Sequence, residues 1–154
     1  MIAGEIHAAI PAQPDIADLE RRLRQSLQAT FFSNDRNSSP RRVGQLAREL
    51  AESFAHYLNG HAPNEAVRDL GERLAHDGIG HQSVLGLIDS LHSIGWDYPR
   101  ATDAMPPASV RYCNPLLAGY MRGRESALLK EQEQTRTALD RARSHSKPGA
   151  EHND

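Results

Sequence analysis

From Leu116 to Ala142 the sequence contains no proline and is dominated by residues that favour helix, so this stretch reads as the longest helix of the chain and the element on which the rest packs. Its apolar residues, Leu117, Tyr120, Met121, Leu128, Leu129 and Leu139, are dense early and sparse late, which predicts a helix that starts in a core and ends in water. Gly119 and Gly123 are four apart and share a face where another backbone can approach closely, either within the subunit or across a dimer. A homodimer contact through that glycine strip is the expectation. The second half, with Glu125, Lys130, Glu131, Glu133, Arg136, Asp140, Arg141 and Arg143, has the mixed charge of a solvated face. Strict heptad spacing does not persist there for the three repeats a coiled coil needs. Tyr120, Arg122, Arg124, Glu125, Lys130 and Glu131 mark the place where the apolar stripe thins into charge. A partner gains both packing and complementary charge at such a boundary, so these six are the candidate partner-binding residues.

Four shorter helices precede it. Asp15 caps a first helix whose Ile16, Leu19, Leu23 and Leu27 recur at three- and four-residue steps while Glu20 faces Arg24. It ends near Phe31-Phe32, and a polar loop follows through Ser38. Ser39-Pro40 is the clearest start signal, a capping serine before a proline whose missing N–H costs nothing in the first turn. Val43, Leu46, Ala47, Leu50, Phe54, Tyr57 and Leu58 give that second helix a broad core face, which stops at Asn59-Gly60. The third begins at Pro63-Asn64, buries Val67, Leu70 and Leu74, and stops at Asp77-Gly78. Arg68–Glu72 and Asp69–Arg73 are the expected pairs on its outer face. The fourth runs from about His81 to Ile94 with apolar residues on most sides (Val84, Leu85, Leu87, Ile88, Leu91, Ile94), which predicts the most central helix. Trp96 to Pro107 has no periodic pattern and reads as a connection, disordered or merely linking, from which Trp96 and Tyr98 fold back on the bundle. Asn114-Pro115 repeats the cap-plus-proline signature, so a break or kink is expected there, with the long helix beginning at Pro115. The fold class is therefore all-α: a helical bundle of about five helices over residues 14–145, with a flexible arm at 1–13 and a disordered tail at 146–154.

Charge and residue types exclude several functions. Eighteen basic and twenty acidic residues are interspersed, so no basic stripe points to nucleic acid. No segment approaches the apolar length of a membrane span, and the first fourteen residues lack the pattern of an export signal. The single cysteine, Cys113, rules out an internal disulfide and suits a reducing, cytoplasmic setting. Eight histidines raise a metal, haem or small-ligand sensor as the alternative function. However, His56, His61, His76, His81 and His92 do not reproduce a metal-site spacing, and helix-end positions account for them. Gly78-Ile79-Gly80 lacks the strand and lysine of a phosphate loop, and no nucleophile elbow occurs. The expectation is no enzyme, no cofactor and no metal.

The segment Leu70 to Leu87, with its Asp77-Gly78-Ile79-Gly80 turn between an apolar-patterned helix and a core helix, is followed by a long helix containing Gly119-Tyr120. Together these resemble the N-terminal domain of RsbU-type phosphoserine phosphatases, a family that also looks related to the C-terminal helical domain of the circadian protein KaiA. The likeness spans about Phe54 to Ala142 and rests on patterns of size and polarity. It implies an all-helical dimer that does no chemistry and docks a switch-type kinase of a stress-response pathway. No phosphatase domain follows within the 154 residues, so it implies a free-standing module or the sensor half of a split system. The function expected is a regulatory module binding a switch-kinase or phosphatase type partner.

Overall fold

The computed structural model describes residues 14–30, 39–95 and 107–146, and these hold five helices and no strand. Expectations for residues 1–13, for the loop 31–38, for 96–106 with Trp96 and Tyr98, and for the tail beyond Ser146 fall outside the described residues. The helices are α1 (Ile16–Ala29), α2 (Pro40–Leu58), α3 (Asn64–His76), α4 (His81–Gly95) and α5 (Ala108–His145).

The start and stop signals work as residue chemistry requires. The Asp15 carboxylate accepts from the Ala17 and Asp18 amides, and the Ser39 hydroxyl oxygen accepts from the Arg42 amide at 3.2 Å, with Pro40 in the first turn of α2. At the ends of α2 and α3 the chain turns through Gly60 (φ 73°) and Gly78 (φ 78°), a backbone region that favours glycine. In each case the following amide reaches back into the helix: His61 donates to the His56 carbonyl at 2.9 Å, and Ile79 to the Leu74 carbonyl at 3.1 Å.

Packing divides the bundle into two sides joined by α2 and α4. On one side α1 lies on α2 and α4 through Leu19, Leu23 and Leu27; on the other α5 runs along α3 in the most extensive contact of the fold. Glycines make that second contact possible. A Cβ on Gly119 would stand 1.8 Å from the Arg68 carbonyl oxygen, and one on Gly71 would stand 2.0 Å from the Leu116 carbonyl oxygen. The two backbones therefore touch. This corrects the expectation for Gly119 and Gly123: their face is buried against α3 of the same chain and is closed to a second copy.

Two further expectations are corrected. α4 is not the most central helix: it packs on α1 and α5, and Leu85 on its outer face is 58% exposed. The long helix does not begin at Pro115 but at Ala108, with Pro115 buried inside it. The segment ahead of the proline is held by its side chains. Tyr112 is fully buried, edge-on to Phe54 (5.0 Å) and Tyr57 (5.4 Å), and its hydroxyl donates to Ser53 Oγ at 3.0 Å. Burying one such ring is worth roughly 1.5–3 kcal/mol, comparable to the ~3 kcal/mol of an interior proline, and Ser109, Cys113 and Leu116 are buried with it. Among ion pairs, Arg24 pairs with Glu20 as its spacing predicts. Arg73 instead reaches Glu49 on α2 at 3.3 Å, where Asp69 was the expected partner.

Candidate docking site on the long helix

Tyr120 fixes how α5 leaves the bundle. Its ring is buried and its hydroxyl donates to the Ile79 carbonyl at 2.7 Å, tying α5 to the turn between α3 and α4. Tyr120 is therefore an anchor beneath the site, where the sequence had placed it among the contact residues. One turn later, Gly123 is the last fully buried position, closed over by Glu72 and Ala75 of α3. Beyond it α5 has water on almost every side as far as His145.

Where the helix emerges there is an open groove. It is lined by His81, at the first turn of α4, and on α5 by Met121, Arg122, Arg124, Glu125, Leu128 and Leu129 around the Tyr120 edge. Met121, Leu128 and Leu129 are each at least half exposed, which is unusual for large apolar side chains lying within two turns of one helix. Arg122, Arg124 and Glu125, expected from the sequence, stand around this floor and form no ion pairs among the described residues. Glu131 lines an adjoining hollow further along α5 with Thr135 and Arg136; that hollow shares Leu128 and Gln132 with the groove, and Lys130 lines neither. The groove thus unites three of the predicted charges and excludes two. His81 and the floor of Met121, Leu128 and Leu129 were not singled out as site residues, although the adjacent leucines were already visible as the end of the apolar stripe.

The remaining chemistry of the described residues is sparse. No three His, Cys, Asp or Glu side chains converge as metal ligands. Cys113 is buried, and burial pushes its thiol up to about 12, so it is held as a thiol rather than as a nucleophilic thiolate. Burial likewise pushes the Tyr112 hydroxyl well above its ordinary range. Among the described residues no helix is long and apolar enough to cross a membrane. Comparison with protein-family models, with curated proteins and with solved structures found no match.

Proposed function

We propose that this chain is a non-enzymatic regulatory module that acts by binding a signalling protein of the switch-kinase or phosphatase type. The observation that carries the reading is the groove at the root of α5: uncovered Met121 and Leu129 side by side with Arg122 and Arg124, which form no ion pair among the described residues, on a helix locked to the bundle by Tyr120. Such a surface offers desolvation at its centre and charge at its rim, the combination from which protein interfaces draw affinity. The likeness of Leu70–Leu87 and the Gly119-Tyr120 helix to RsbU-type domains supplies the partner class. A cytoplasmic setting accords with the single buried thiol.

The test is to cross-link the chain in its native cells, identify what it holds, and measure binding of the purified pair. A regulatory kinase or phosphatase should bind, and Arg122→Glu combined with Leu129→Asp should weaken it by about tenfold or more without lowering helical content. Capture of no such regulator, or equal affinity in the double variant, overturns the assignment.

A further inference from the structure

Gly44 is a helix-interior glycine that packing does not require. At Gly71 and Gly119 a Cβ would run into a backbone carbonyl of the facing helix. Gly44 lies in the second turn of α2, where glycine is the poorest helix former after proline, yet the nearest atom its Cβ would meet is the Arg24 guanidinium, at an ordinary 3.6 Å. A position that gives up local stability and recovers nothing in packing marks a place kept for another purpose.

The bare backbone at Gly44 is part of a hollow of about 370 Å³ between α1 and α2, lined by Arg24, Arg41 and Arg48 together with Glu20, Gln28 and Gln45. Three guanidiniums thus face one carboxylate. The helices run antiparallel here: Arg24 lies over Gly44, while Glu20, one turn earlier on α1, acts on Arg48, one turn later on α2, adding to the hold of the Glu52 bond on that guanidinium. Glu20 pairs with Arg24 and Glu52 with Arg48, so negative charge is gathered at one end of the hollow. At the other end Arg41 forms no ion pair among the described residues.

We propose that this hollow binds a phosphate monoester, its oxygens held by Arg41 and Arg24 over the Gly44 backbone. Guanidinium forks match phosphoryl oxygens in bidentate fashion. A carboxylate brings a single charge, which Glu20 already gives Arg24. A phosphate monoester brings nearly two at neutral pH and three acceptor oxygens, enough to engage both arginines at once. No aromatic ring lines the hollow, so nothing there stacks on a nucleobase and the group carrying the phosphate is small. The hollow shares no residue with the groove at the root of α5 and stands whether or not a regulator docks there.

Amide NMR spectra of the whole chain, titrated with inorganic phosphate at constant ionic strength, should show saturable shifts at Arg41 and Gly44 with a dissociation constant of roughly 1 mM, and no such shifts with chloride in its place. A phosphoserine peptide titrated in the same way identifies the source: tighter binding than inorganic phosphate assigns the group to a phosphorylated protein, equal or weaker binding to a free phosphorylated solute. Arg41→Glu alters an exposed side chain outside the ion pairs of the bundle and should weaken phosphate binding by about tenfold or more. Gly44→Leu should fill the hollow and weaken it to a similar degree with helical content retained. Shifts that do not saturate, that chloride reproduces, or that survive Arg41→Glu or a folded Gly44→Leu overturn the proposal.

Discussion

Gly119→Ala and Gly44→Ala change the same atoms on two helices and should move stability in opposite directions. Both gain roughly 0.8–1 kcal/mol of helix propensity. At Gly44 the new methyl would meet the Arg24 guanidinium at 3.6 Å, ordinary contact with a side chain that can yield, so the variant should be more stable by about 0.5–1 kcal/mol. At Gly119 it would meet a backbone carbonyl at 1.8 Å, and the α3–α5 contact must open. Overpacking of that kind costs about 1–3 kcal/mol, so urea denaturation should show Gly119→Ala destabilised despite its better propensity. Ser39→Ala removes the acceptor for the Arg42 amide and should lower stability by about 0.5–2 kcal/mol. Cys113 gives the chemical readout at this scale: held as a buried thiol, it should resist iodoacetamide at pH 8 in the native protein and react once urea unfolds it. Its shift also fixes a pH dependence. The unfolded thiol ionises from about pH 9, the ordinary value of 9.0, while the folded one stays protonated, so the unfolded state loses protons first. The melting midpoint followed by circular dichroism should therefore hold below pH 9 and fall as the pH rises above it, with Tyr112 adding to the fall above its ordinary value of 10.0.

Among the elements, α2 was legible in full because everything that defines it is local: a serine cap, a proline in the first turn, a three-four apolar period and an Asn-Gly stop. α5 was legible in its length and in its passage from core to water, but its beginning was misplaced by one strong local rule. Asn114-Pro115 carries a start signature, and only the pocket made by Phe54, Tyr57 and Ser53, far away in sequence, reveals that Tyr112 holds the helix continuous through the proline. The candidate site shows the same division. Arg122, Arg124 and Glu125 were readable as the point where apolar pattern gives way to charge, whereas His81 joins them only because the α3–α4 turn is tied to Tyr120. The glycine pair was correctly read as a close-contact strip, yet a sequence does not say which backbone comes close. The outer half of α5 makes no ion pair of its own among the described residues and packs against nothing. Ending the chain after Ser126 should therefore leave the bundle folded, with a urea denaturation midpoint close to that of the full chain.

For the molecule as a whole, the direct bond from Tyr120 to the Ile79 carbonyl and the backbone contact at Gly119 make α3, the α3–α4 turn and the root of α5 one stiff body. From Glu125 to His145 the helix then projects about 31 Å at ~1.5 Å per residue. Those proportions are those of a lever with a short arm and a long one. A tilt of about 10° at the root, within reach of the small slides that packed helices make, carries the far end through about 5 Å at the same rise per residue. At Arg143, about 27 Å out at the same rise per residue, that tilt amounts to nearly 5 Å, a little less than one helical turn.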